Sequence, residues 1–255
     1  MTLAFNPPSN LPNNLKGQVF DARKLLPTNP KYTWESLKGL RDPKNLTTIA
    51  LHHDAISKKS SAQYTDIAFA QRIATSHIRS KKNIPGGDPG FPYHIWIRNG
   101  VIYVCNDLEA FTYGVSSNNS YTVHICVSGN YAGVDTLEDR DRNALYAAIL
   151  MVKSMVPTIT NIKAHRELDA TSCPGYDVEK VREDIQAIET QAATPELNEE
   201  LDNTANATMA QIFAAYTRFN DVYKIATNPG PNQAEGQRKC LQIADMMVQS
   251  GILKQ

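Results

Sequence analysis

The order of hydrophobic patterns predicts an α/β (α+β) chain, with a central mixed β-sheet flanked by helices and a small helical region at the C-terminal end. Two observations carry this. Between residues 45 and 188 strand-like and helix-like runs alternate as β, α, β-hairpin, β, α, β, α, which calls for a sheet covered by helices. In addition, LTTIALHH (Leu46 to His53) is β-branched and apolar on both faces, as a buried central strand must be.

The elements follow in order. Residues 1–44 are rich in Pro, Asn and Lys without sustained periodicity and read as an extended arm packing on a later core. Tyr64 to Lys82 places Ile67, Ala70, Ile73, Ala74, His77 and Ile78 at helical spacing, so one amphipathic helix is expected, with His77 in the core or behind a site. PGGDPG at 85–90 is loop. YHIWIRNGVIYVC then reads as two short strands joined by Asn99-Gly100, a type I′ hairpin signal, with Tyr93, Ile95 and Ile97 sharing a face. YTVHICVSG is a further strand ending at Gly129, and Thr136-Leu-Glu-Asp139 has the form of a capping box opening a helix through Val156, which Pro157 stops. TNIKAH returns as a short strand, CPG makes a loop, and YDVEKVREDIQAI closes the domain as a helix. Residues 45–188 thus form the expected principal domain and 189–195 a linker with Pro195 as breaker. Within 196–255, two helices flank NPGPN, the first striped by Ile212, Phe213, Tyr216, Phe219, Val222, Tyr223 and Ile225. Such a pair barely buries a core alone and is expected to pack on the main domain, self-associate or bind a partner.

Bulk composition narrows the partners. Lys+Arg and Asp+Glu balance at 26 each over 255 residues, so no global charge favours nucleic acid or an anionic membrane. MTLAFNPPSN has neither a basic n-region nor a long apolar run, and no stretch reaches about eighteen consecutive apolar residues, so a soluble chain without a Sec-type address or membrane insertion is expected. The cysteines at 105, 126, 173 and 240 form no CxxC pattern and are too sparse for a disulfide scaffold, so they are expected as reduced thiols, Cys105 and Cys126 as small core hydrophobes.

The segment AHRELDATSCPG (Ala164 to Gly175) sets Cys173 eight residues after His165, in a polar loop away from apolar partners. Thiolate and imidazole both ligate a borderline-soft cation such as zinc, and a catalytic zinc site needs a third protein donor and one open position. His52 or His53, at the C-terminal end of the first central strand, can supply that donor, because adjacent strand ends bring such groups together. Neighbouring strand residues point to opposite faces, so only one of the pair can reach the ion. A closed, purely structural site would need a fourth ligand, for which His53, His94 and His124 are available.

Four blocks, IALHHDA, PYHIWIRNGVIYV, SNNSYTVHICVSGNY and AHRELDATSCPG, occur in an order and spacing that resemble the type-2 N-acetylmuramoyl-L-alanine amidases, the family shared by phage lysozyme-type amidases and peptidoglycan recognition proteins. The resemblance runs from about Thr47 to Ile188. It implies a zinc-dependent hydrolase cleaving the amide between N-acetylmuramic acid and L-alanine of bacterial peptidoglycan, with Zn2+ held by His52, His165 and Cys173, and His53 as the fallback first ligand. Tyr93 maps to the tyrosine before the hairpin histidine, and Thr171 to a position where phage enzymes often carry lysine and recognition proteins often carry threonine; both are implied as catalytic. His124 stands where many relatives have glycine and is read as structural or surface. The alternative within the fold is a non-catalytic peptidoglycan-binding module, but such proteins typically replace the cysteine, and cytosolic wall-recycling amidases usually carry aspartate there. An endolysin of phage or prophage origin is implied, held in the host cytoplasm until lysis and then acting on the wall. Deletion of 196–255 is expected to leave hydrolysis of soluble wall fragments intact while weakening association with whole walls; unchanged sedimentation with walls would count against a wall-binding role for the tail.

Overall fold

The computed structural model describes Phe5, Leu15 and residues 18–192; the expectations for 193–255 lie outside the described residues. The strands are β1 (Gln18–Asp21), β2 (Thr48–His53), β3 (Ile95–Arg98), β4 (Val101–Val104), β5 (Thr122–Val127) and β6 (Asn161–Ala164). The helices are α1 (Trp34–Lys38), α2 (Lys58–Ser61), α3 (Asp66–Arg79), α4 (Asp139–Met155) and α5 (Val178–Ala192). The sheet runs β1-β4-β3-β5-β2-β6. Only the β3/β4 pair is antiparallel, the other neighbours being parallel, so the sheet is mixed as the sequence predicts. Among the described residues no helix is long and apolar enough to cross a membrane.

Side-chain alternation divides the sheet into two unlike faces. Ile49 and Leu51 of β2, Val123, Ile125 and Val127 of β5, and Ile95 and Ile97 of β3 belong to one apolar cluster with α4 and α5 residues such as Leu145, Ile149, Val181 and Ile185. On the other face Trp96, Tyr103 and Cys126 pack with Phe69, Ala70, Ile73 and Ala74 of α3. The α3 segment is helical because Thr65 caps it, its side chain accepting from Ala68 N–H, and because that apolar stripe has a sheet to cover. Asn99 (φ 52°) and Gly100 (φ 76°) turn β3 into β4 with two left-handed residues, the type I′ geometry that Asn-Gly favours.

Several expectations change on contact with the tertiary structure. Residues 18–44, read as an extended arm, supply the parallel edge strand β1 and the helix α1, whose Trp34 is buried. The capping box at Thr136–Asp139 does not form: α4 starts at Asp139 behind Glu138, with no side-chain cap bond. Its first turn is instead fixed by buried Asp141, which accepts from Lys58 Nζ at 2.8 Å and from Gly100 N–H at 2.8 Å. Tyr93 does not share a face with Ile95 and Ile97, because β3 begins at Ile95 and Tyr93 packs with the Trp96 cluster. His77 lies against the 85–90 loop, its Nδ1 3.0 Å from Asp88 Oδ2, and α5 runs on to Ala192. Ile125→Ala, which opens a cavity at a fully buried position in the central strand, is expected to lower stability by about 2–5 kcal/mol in urea unfolding.

Candidate metal centre

The site begins with strand register. β2 and β6 are parallel neighbours, and Leu51 pairs with Ala164. The next residue on each, His52 and His165, therefore emerges beside the other, with ring centroids 4.7 Å apart. After β6 the chain makes a 3-10 turn over His165–Glu167, and Arg166 N–H donates to Cys173 C=O at 2.9 Å, folding the following loop back on itself. His53 N–H donates to Cys173 Sγ at 3.3 Å, and that sulfur lies 3.9 Å from His52 Nδ1. One donor atom from each of His52, His165 and Cys173 lies within 4.8 Å of the others. The 3.9 Å edge is close to the roughly 3.6 Å separation of two ligands on a tetrahedral ion with bonds of about 2.0–2.3 Å.

The loop depends on Gly175. Its φ is +84°, and an added Cβ would sit 2.5 Å from the Tyr131 carbonyl carbon, so both conformation and space demand glycine. Cys173 itself is buried, 6% exposed, rather than set in an open polar loop. Burial is the main reason its thiol is pushed up to about 11, against the lowering effect of the His53 N–H bond. Burial likewise holds His52 well below the usual histidine range, with His165, His53 and His94 adding to it, and lowers His165 despite nearby Asp169. Both imidazoles are thus neutral near pH 7, the form that ligates a metal, whereas a bound cation would displace the thiol proton. This donor set suits a borderline ion such as zinc.

His53 faces away from the cluster. Its Nδ1 accepts from Tyr131 N–H at 3.2 Å, and its ring stacks on Tyr131. Of the other histidines considered as a fourth ligand, His94 is engaged elsewhere: its Nδ1 accepts from His124 N–H at 2.9 Å, and its Nε2 lies 2.9 Å from Ala110 C=O and from Arg41 Nη2. Among the described residues the convergent set is three side chains, which leaves a coordination position for water or substrate.

The family model described as N-acetylmuramoyl-L-alanine amidase matches residues 42–176. The chain belongs to that amidase family. Among solved structures it is similar to the endolysin amidase LysCS from Clostridium intestinale URNW, with TM-score 0.50 and 22% identity over 66% of this chain and 95% of that one. It is also similar to the amidase LysC from the same organism, with TM-score 0.50 and 21% identity over 66% and 97% of the two chains. Bumblebee peptidoglycan recognition protein SA aligns at TM-score 0.48 and 19% identity over 62% and 89%. Comparison with curated proteins gives no match.

Tyr93 sits beside the cluster, its ring centroid 5.1 Å from that of His52. Burial, then the neighbouring Cys126 and Cys173, keeps its phenol well above the usual tyrosine range, so it remains a proton donor. Thr171 is exposed on the ligand loop, where its Oγ1 accepts from Cys173 N–H at 3.2 Å. The sequence did not reveal two features behind the cluster. His124, read as structural or surface, is fully buried with its Nδ1 3.1 Å from His52 Nε2. Arg41, from the region read as an arm, is buried and donates to the carbonyls of Asn119, Thr122 and Leu108. The one available signal for His124 was its spacing of two from Cys126, which places both on one face of the strand. Gly175→Ala is expected to weaken zinc binding by about tenfold or more in chelator competition, a factor of ten being about 1.4 kcal/mol. Gly133→Ala, equally left-handed at φ +86° but with nothing within 4 Å, separates loop displacement from backbone strain and should bind zinc as the unaltered chain does.

Proposed function

We propose that the chain is a zinc-dependent N-acetylmuramoyl-L-alanine amidase that hydrolyses the amide between the lactyl group of N-acetylmuramic acid and L-alanine in bacterial peptidoglycan. The observation that carries the reading is the convergence of His52, His165 and Cys173 from two strand ends and one glycine-bent loop. Zinc, when bound, supplies a water whose pKa falls towards ~7 and a Lewis acid for the amide carbonyl. The two neutral imidazoles and the thiolate hold the ion's position and leave it a net positive charge. His52 and His165 are fixed by the backbone of paired strands, so the centre is preorganised rather than assembled on binding. Tyr93, protonated and beside His52, donates a hydrogen bond to the oxyanion that develops on the amide oxygen. Thr171 has its lone pair engaged by Cys173 N–H, and its hydroxyl hydrogen is the second donor to that oxygen. Nitrogen departs as the free amino group of the stem peptide's alanine.

We further propose a phage or prophage setting, in which the enzyme is held in the host cytoplasm and reaches the wall when the membrane is opened. The wall-binding or self-association role expected for residues 196–255 lies outside the described residues. A non-catalytic recognition role is disfavoured by the presence of a buried cysteine in the cluster. The test is incubation of the full chain with purified peptidoglycan, reading free alanine amino termini together with zinc content. Release of those termini, abolished by chelation and by Cys173→Ala with loss of bound zinc, is expected. Tyr93→Phe should keep its zinc and lose about 10²–10³ in kcat, the effect of removing one oxyanion donor. Binding of the wall without release of amino termini would leave only the recognition reading standing.

A further inference from the structure

His52 is the one member of the cluster whose second ring nitrogen points into the interior, and what it meets there is not solvent but another histidine. We infer that His124 is a positioning residue for the amidase centre: with Thr122 it forms a buried hydrogen-bond relay that fixes the tautomer of His52 and turns the Nδ1 lone pair towards Cys173 and His165. The inference rests on the metal-centre reading given above.

The direction of the relay can be worked out from its far end. Thr122 Oγ1 donates to the Asn118 carbonyl at 2.9 Å. Its hydrogen being used there, the oxygen can only accept from His124 Nε2, which lies 3.3 Å away. A neutral His124 with its proton on Nε2 presents a lone pair at Nδ1, and His52 Nε2 lies 3.1 Å from that atom. His52 therefore donates from Nε2, and its Nδ1, 3.9 Å from Cys173 Sγ, carries no proton. The opposite polarity would leave the Asn118 carbonyl without its donor and place a hydrogen on the nitrogen that faces the cluster.

The surroundings hold His124 in this orientation. Its ring stacks on His94 with centroids 5.3 Å apart and planes at 24°. His94 is itself fixed, accepting the His124 backbone N–H at Nδ1 and lying with Nε2 2.9 Å from both Ala110 C=O and Arg41 Nη2. On the other side the chain comes so close that a Cβ on Gly114 would lie 2.6 Å from His124 Nδ1. That contact makes Gly114 a space-giving partner of the ring. His124 and His52 are both shielded from water, at 0% and 1% exposure, so no solvent competes for the bond between them. Ligating histidines commonly hand their other ring nitrogen to a carboxylate or a carbonyl; here a second imidazole, backed by a hydroxyl, occupies that place.

The experiment has two arms. In the full chain stripped of metal, near neutral pH, long-range 1H–15N spectra should show His52 and His124 both as Nε2–H tautomers, the His52 signals being assigned by their loss in His52→Gln. An Nδ1–H tautomer at His52 overturns the relay, whatever the zinc affinity proves to be. In chelator competition His124→Phe, which fills the site but accepts no hydrogen bond, should bind zinc about 10–100-fold more weakly. His124→Asn, whose Oδ1 can stand near the place of Nδ1, should recover most of that loss. Equal zinc affinity for His124→Phe and the unaltered chain also overturns the inference. If His124→Phe fails to fold, the spectra of the unaltered chain still decide. An unaltered chain that binds no zinc yet shows the Nε2–H pair at His52 and His124 would sink the metal reading and leave the relay standing.

Discussion

The register between β2 and β6 is the constraint on which the rest of the site depends. Leu51 opposite Ala164 sets His52 beside His165. A slip of one residue would place His53 there instead and would turn Ile49 and Leu51 out of the apolar cluster. The hydrophobic face of β2 and the ligand position are therefore specified by the same alternation. The cost of burying the wrong face protects the geometry of the centre.

The two faces of the sheet divide the labour. Beneath α4 and α5 the sheet is closed by aliphatic side chains, which supply most of the burial that holds the strands in place. The other face is only partly covered by α3, and beyond that helix's reach it carries Thr122, His124 and His52 in place of aliphatic residues. Polar groups in such a position are tolerated only when hydrogen-bonded. They are: Thr122 to Asn118, His124 to Thr122, and His52 to His124. The same burial lowers the His52 and His124 imidazoles and raises the Cys173 thiol, favouring the neutral form of each.

What the sequence disclosed and what it hid follow from how local each signal is. The Asn99-Gly100 hairpin, the α3 stripe and the two-faced apolar strand at Thr48–His53 are patterns within a few residues, and each appears where it is expected. The nearness of His52 to His165 was legible because parallel strand ends form a rule of topology rather than of sequence. By contrast the start of α4 is set by Asp141 meeting Lys58 and Gly100, contacts that span dozens of residues, and so the local Thr136 motif misled. Arg41 looked like part of an arm because its partners, the carbonyls of Leu108, Asn119 and Thr122, leave no trace in side-chain identity. His124 escaped for a related reason: a histidine amid Val, Ile and Cys gives no periodic signal of its partner, and its meaning lies in a neighbour on another strand.

Thr171 shows how such local departures redistribute chemical load. A lysine in this place would carry a full positive charge, whereas threonine offers a neutral hydroxyl. Here that hydroxyl is already tied by Cys173 N–H at 3.2 Å, which orients its one remaining hydrogen but couples its position to the ligand loop. The loop's path is dictated in turn by Gly175 against the Tyr131 backbone and by the His53 N–H on Cys173 Sγ. The positions of Cys173 and Thr171 are thus set by one segment. Tyr93 reaches the centre from a different element, ahead of β3, and is free of that coupling. Its phenol, held protonated by burial, is therefore positioned independently of how that loop settles.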